Sequence, residues 1–290
     1  MISETWALTK RELEKWYKIP TIILASLIQP VVWIGLFGNS FNPSKLLPLE
    51  TLHPPPGLSL EVTEAISAFI AEANKSILEQ TFQGAPNYLT FLTGGVLSVI
   101  VLFTSLFSGG SIVWDRRFGF LDKLLVAPIP RSSIYFAKVF SSVIRGLVQA
   151  SIIFVAALLM PGGLVLANPS PIIILTIFGA LFLLALGFSS LFVAIALRIK
   201  RWETLIAISN LVNLPLLFAS SALFPTSIMP IWLQRVASVN PISYSADLAR
   251  TLFIEGVITP NVIFDFQVLI IFAITFTGIG SFASRYGLRG

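Results

Sequence analysis

Cysteine is absent from this 290-residue chain, and histidine occurs once, at His53. Without thiols there can be no disulfide framework, thiolate metal site or cysteine nucleophile. A single imidazole leaves little for zinc or acid–base chemistry. Charge is scarce too: 11% of residues are charged and 55% are hydrophobic, where soluble domains carry about 25% and about 45–50%. So few polar side chains cannot cover a water-facing surface, which excludes an ordinary soluble enzyme. The same hydrophobicity excludes a disordered tail. No G-x-x-x-x-G-K-[ST] occurs, so the chain has no P-loop of its own to cradle ATP phosphates. This composition is that of a membrane protein.

A helix crossing about 30 Å of hydrocarbon needs roughly 20 mainly apolar residues. Six stretches qualify, at about 20–38, 88–113, 133–160, 171–197, 204–224 and 264–284. The net charge of +5 does not point to nucleic acid, because the basic residues cluster between the apolar runs. Lys10, Arg11, Lys15 and Lys18 precede the first run. Arg116, Arg117, Lys123, Arg131 and Lys138 lie around the second loop, Arg198, Lys200 and Arg201 in the fourth, and Arg285 and Arg289 in the tail. Six spans put all four clusters on one side, and basic loops face the cytoplasm. Both termini are therefore expected to be cytoplasmic.

Residues 1–19 hold Ile2, Trp6, Leu13, Trp16 and Tyr17 at helical spacing, with most charges off that face. Such a stretch reads as an amphipathic helix lying in the membrane interface, with Glu14 and Lys18 as an i,i+4 pair. The run that follows is too long for a signal peptide and lacks a small-x-small cleavage site. The outside loop 39–87 is proline-rich in its first half, while Ser59–Gln80 is proline-free and reads as an outside helix.

Two further segments carry chemical information. In the loop 114–131, Trp114, Phe118, Leu121, Leu124 and Leu125 form an apolar stripe at helical spacing. Asp115, Arg116, Asp122 and Lys123 supply charge around it, Arg117, Gly119 and Arg131 lie in the same loop, and Pro128 and Pro130 forbid the helix from continuing. One amphipathic helix at the membrane surface is expected, either a membrane-hugging linker or a lever that docks on a soluble partner. In 225–260, two apolar pieces too short to span flank Asn240-Pro241, a dipeptide that favours a turn. A re-entrant hairpin fits, bounded by Phe224 and Pro225, carrying Pro230 and Trp232 on its first arm and Tyr244 on its second. Asp247 and Arg250 sit three apart and are placed to pair on one helical face.

The run "WDRRFGFLDKLLVAPIPRSSIYFAK" resembles the cytoplasmic coupling region of the ABC type-2 permease family. The run "FASSALFPTSIMPIWLQRVASVNPISYSADLAR" resembles that family's signature before the last span. With the leader and six spans, the resemblance covers nearly the whole chain. It implies an all-α polytopic fold and a transmembrane unit built with a second permease copy or a paralogue. It also implies two copies of a separate ATPase subunit, which would bind ATP and Mg, so that this chain needs no cofactor of its own. Asp115–Leu125 would fit a groove on that ATPase, the hairpin would cap the exit, and the setting would be a bacterial or archaeal plasma membrane. Drug- and lipid-export permeases are the nearer likeness, and polysaccharide and teichoic-acid permeases share the fold.

Arg145 interrupts the third apolar run, with Gln149 on the same face, and Asn210 and Asn213 add polarity to the fifth. An intramembrane arginine marks either a polar path or a structural contact to carbonyls or lipid phosphates. Proton coupling is disfavoured, because the six spans hold no Asp, Glu or His apart from Asp265. Membrane-embedded catalysis lacks its residues as well. Gly278-Ile-Gly280-Ser-Phe-Ala283 mimics a dinucleotide fingerprint, but it lies inside an apolar span and is better read as small residues at a helix contact.

Overall fold

The structure, a computed structural model, describes residues 2–35, 62, 64–70, 72, 76, 82–160 and 162–287. The regular elements in these regions are helices. They are α1 (Ile2–Tyr17), α2 (Pro20–Trp33), α3 (Tyr88–Arg117), α4 (Phe120–Val126), α5 (Arg131–Leu159), α6 (Pro171–Ala196), α7 (Trp202–Phe218), α8 (Ile231–Ala237), α9 (Pro241–Ile254) and α10 (Pro260–Gly287). Residues 64–70 are helical as well, as expected for part of the outside helix. The rest of Ser59–Gln80, and the proline-rich half of its loop, lie almost wholly outside the described residues.

Four of the expected spans, α3, α5, α6 and α10, are apolar helices long enough to cross a membrane. The other two are shorter where described. α2 has fourteen residues and runs into a π-helical pair at 34–35, and residues 36–38 lie outside the described region. α7 has 17 residues, about 25 Å, and stops at Phe218 instead of reaching residue 224. Pro215 lies inside it, and the amide of Asn240 donates to the carbonyls of Leu216 and Ala219, at 2.7 Å each. These carbonyls find a side chain where a longer helix would supply the next turn.

α3 is the centre of the bundle, packed against α5, α6 and α9. Its start is fixed by Asn87, whose side-chain oxygen accepts from the Thr90 amide at 2.7 Å while its nitrogen donates to the carbonyls of Gly162 and Gly163. Hydroxyls join the helices further along. Ser189 of α6 donates to Ser105 of α3 and Ser142 of α5, at 3.1 and 2.9 Å. Such small polar contacts supply helix adhesion where burial from water cannot. At Gly95 a Cβ atom would lie 1.7 Å from the Ala222 carbonyl oxygen, so only glycine lets the chain after α7 rest on α3. Gly280 likewise lies directly against Tyr135, as expected of a small residue at a helix contact, whereas Gly278 faces open space.

The contacts also define the two ends of the bundle. At one, Lys15 of α1 reaches Asp115 near the end of α3, and Arg116 reaches the carbonyls that follow α6. Tyr135, near the start of α5, meets Thr277 and Gly280 near the end of α10. The described residues of the four basic clusters therefore gather at one end. The chain from Ser220 to Ile254 packs at the other, where Arg250 meets Phe91 near the start of α3.

Candidate functional site

At the basic end, α1 is held down by ion pairs. Glu12 and Asp115 are buried, and so is Lys138 of α5. The Lys138 ammonium lies 3.0 Å from Glu12 and makes a closer bond to Asp115. Lys15 bridges the same carboxylates at 2.9 and 3.2 Å, and the Arg11 guanidinium lies 3.4 Å from the centroid of the Phe120 ring. α1 thus turns its polar side to the protein, while Ile2, Trp6 and Tyr17 stay exposed. That arrangement suits a helix resting at an apolar interface. The expected Glu14–Lys18 pair is present at 3.3 Å.

Burial alone raises the pKa of Glu12, but Lys138 and Lys15 more than reverse this and hold it at about 2, against a usual 4.5. Because the folded-state value is the lower one, the stabilisation is present above about pH 4.5 and is lost as pH falls towards 2. The shift corresponds to about 3 kcal/mol. Melting temperature followed from pH 6 to pH 3 should fall in the wild type, and Glu12→Gln should flatten that part of the profile.

The loop 114–131 differs from the single amphipathic helix expected. Trp114–Arg117 is the last turn of α3, and α4 is a separate helix of seven residues. Gly119 makes the break, with φ at 66°, a left-handed conformation that side chains other than glycine rarely adopt. The break divides the stripe. Leu121 and Leu124 are buried under α4, at 2% and 6% exposure, and Leu125 is half-buried. Phe118 is 70% exposed and Val126 89%. Phe118 stacks on Trp114, whose ring also meets Trp202 at 5.5 Å.

The charges divide in the same way. Asp115 is committed to the ion pairs, and Arg116 donates to the carbonyls of Ile199 and Leu197 at 2.6 and 2.9 Å. Arg117, Asp122, Lys123, Pro128 and Arg131 are exposed. The outcome is a firmly mounted tip whose buried charges are paired and whose outer surface presents Phe118 and Val126 among charges.

At the opposite end, the Arg250 guanidinium is 1% exposed. It donates to the carbonyl of Phe91 at 2.9 Å, to that of Ala222 at 2.8 Å and to Asp247 at 3.1 Å, and it covers the Phe91 ring. The expected Asp247–Arg250 pair is therefore present, and Asp247 also accepts from Ser221 at 2.9 Å. Asn240 caps α9, its side-chain oxygen accepting from the Ile242 amide at 3.0 Å. Pro241 occupies the first turn of that helix. The two arms are unequal: α8, with Trp232 exposed and preceded by Pro230, lies outside, whereas α9 is deeply packed. Phe224 is exposed, Pro225 is buried, and the Tyr244 hydroxyl donates to the Ser238 carbonyl.

Arg145 and Gln149 both line a cavity of about 840 Å³ between α1, α3, α5 and α7. Asn210 and Asn213 do not line it. Asn210 is exposed, and Asn213 is buried with no hydrogen-bond partner among the described residues.

The sequence profile of the family described as "ABC-2 type transporter" matches residues 3–254. This chain belongs to that family. Its relatives include the "Putative transport permease ycf38" of Porphyra purpurea, 30% identical over 87% of this chain and 75% of the relative. The Cyanophora paradoxa protein of the same description is also 30% identical, covering 87% and 74%. A more distant one is the "Daunorubicin resistance ABC transporter permease protein DrrB1" of Streptomyces coeruleorubidus, 27% identical over 57% of each chain. ABC-2 permeases work with an ATPase subunit, which agrees with the absence of a P-loop here.

In this permease the buried pairs of Glu12 with Lys138 and Lys15 escaped sequence reading, although Glu12 and Lys15 stand three apart on one helix. Gly94-Gly95 was also missed. A glycine pair inside an apolar run was the available signal for a close approach.

Proposed function

We propose that this permease is the membrane half of an exporter that moves a hydrophobic or amphipathic molecule, drug-like or lipid-like, outward on ATP hydrolysis by a separate subunit. The observation that carries the coupling is the pair of exposed apolar side chains Phe118, just before α4, and Val126, at its end, on a tip braced by α1 and α3. Buried ion pairs and the contact of Trp114 with Trp202 fix the mount, so force applied at the tip reaches α3 and α5 without being lost in a flexible loop. α2 and α7 complete six spans, which sets both termini and all four basic clusters on the cytoplasmic side. A second permease copy or a paralogue completes the transmembrane unit above two ATPase subunits, and the α8–α9 hairpin stands at the exit. The DrrB1 relative supports the outward direction, and the mainly apolar cavity wall supports a greasy cargo.

The test is co-purification of the tagged permease with the ATPase encoded beside it, followed by ATP hydrolysis in lipid. A stable complex with vanadate-sensitive turnover is expected. Failure to form one, with both proteins folded, sinks the coupling assignment.

A further inference from the structure

The 840 Å³ cavity lies within the range of small-ligand sites, roughly 300–1,000 Å³. Its wall is apolar along Val96, Val99, Ile100, Phe103, Phe107 and Leu223, and it takes in Arg145, Trp16, Lys15 and the buried carboxylates at its basic end. The polar atoms there are unevenly satisfied. Glu12 and Asp115 are each engaged by Lys15 and Lys138, so the carboxylates have their counter-charges. Arg145 has none. Its Nε donates to the carbonyl of Ser141 at 3.1 Å, while its buried Nη2 has no acceptor among the described residues. The indole nitrogen of Trp16, a donor only, is also buried without an acceptor. Two residues lining one cavity thus each hold an unused donor, and no orphaned acceptor lines it among the described residues.

Charge points the same way. Arg11, Lys15, Lys138 and Arg145 stand around the buried carboxylates of Glu12 and Asp115 at this end. Arg145 stands two helical turns beyond Lys138, about 10 Å further into the bundle. A cation at that depth in hydrocarbon is costly without an anionic or carbonyl partner. Arginine also meets phosphate and carboxylate in a planar, two-pronged geometry that an ammonium cannot reproduce.

We infer that this cavity binds an amphiphile with an anionic head, a phosphate or carboxylate, the head placed at Arg145 and Trp16 and the tail along the Val96–Phe107 face of α3. The inference rests on the export reading and narrows it to cargo of one charge sign. Ile19, Phe107 and Trp114, which also line the cavity, are exposed and offer an apolar route in from the surrounding lipid.

The experiment uses the full-length permease in nanodiscs of zwitterionic lipid, without nucleotide. The probe is dodecyl phosphate carrying a bromine on its chain, read by quenching of tryptophan fluorescence, since Trp16, Trp114 and Trp202 line the cavity. The same chain bearing a phosphocholine or an ammonium head, and inorganic phosphate alone, are the comparators. Saturable quenching at least about tenfold tighter for the phosphate head is expected, the scale of one charged hydrogen bond. Arg145→Gln should weaken it by a similar factor, and Arg145→Lys should recover only part of the binding, because an ammonium keeps the charge without the two-pronged contact.

Equal affinity for the ammonium amphiphile, or no loss in Arg145→Gln, overturns the site. Displacement by inorganic phosphate at matched concentration assigns it to a free anion and overturns the amphiphile. If Arg145→Gln fails to insert, the wild-type ranking of head groups decides alone. Binding is read without the ATPase, so the two readings fail separately. A permease that binds the probe but assembles with no ATPase keeps this site and loses the export mechanism. One that couples to its ATPase without head-group preference loses only this site.

Discussion

Replacing Arg250 by Met should remove most of the folded permease from the membrane, at a cost of about 3–5 kcal/mol, the range for breaking a buried ion pair from one side. The guanidinium ties three separate segments at this end: α3 through the Phe91 carbonyl, the chain after α7 through the Ala222 carbonyl, and its own helix through Asp247. Methionine fills much of the volume but donates nothing. The Ala222 carbonyl then loses its side-chain donor, and Asp247 keeps only Ser221 as a hydrogen-bonding side chain. Arg250→Lys should rescue little, because one ammonium cannot reach three acceptors in the directions that the guanidinium fork does. Asp247→Asn should be milder, since that side chain is 34% exposed and its amide oxygen can still accept from Arg250. The check is the yield of monodisperse protein and its melting temperature in detergent across the three variants. A Met variant as stable as wild type would show that the Gly94-Gly95 approach alone holds the segment.

This cluster shows what a sequence can reveal and where it stops. Asp247 and Arg250 were legible as a pair because helix geometry places residues three apart side by side, which is a local rule. That Arg250 also spends two donors on backbone carbonyls more than twenty residues away in the chain was not, since no local pattern encodes which carbonyl a helix end leaves open. The long apolar helices were legible for the same local reason, since hydrocarbon thickness fixes their length. The end of α7 was not, because Asn240 terminates it from outside its own sequence. The stripe in 114–131 misled in an instructive way. Its spacing suited one continuous helix, but Gly119 sits where the chain must turn, and the turn buries Leu121 while leaving Phe118 outside. The ion pairs of Glu12 with Lys138, and of Asp115 with Lys15, join α1 to residues of α5 and α3 a hundred or more positions on, and only folding brings them together.

The division between Leu121 and Phe118 decides how the coupling surface must be probed. Phe118→Asp combined with Val126→Asp should abolish co-purification of the ATPase while leaving insertion and melting temperature near wild type, because both side chains are largely exposed in the isolated permease. Exposed apolar anchors that become buried at an interface each contribute about 2 kcal/mol or more, and a carboxylate in their place adds the cost of desolvating a charge. Together they should weaken assembly by about three orders of magnitude. Leu121→Asp should also lose the ATPase, but for a different reason. Leu121 is buried in the permease itself, so a carboxylate there should unseat α4 and lower the melting temperature. Measuring pull-down and thermal stability on the same preparations separates the two. Loss of binding with stability retained belongs to the docking surface, and loss of both belongs to its mount. If the Phe118, Val126 double variant still retains the ATPase at wild-type stoichiometry, the exposed face of α4 is not where the motor pushes. The brace of α1, Asp115 and Lys138 then serves only to hold the bundle's end closed.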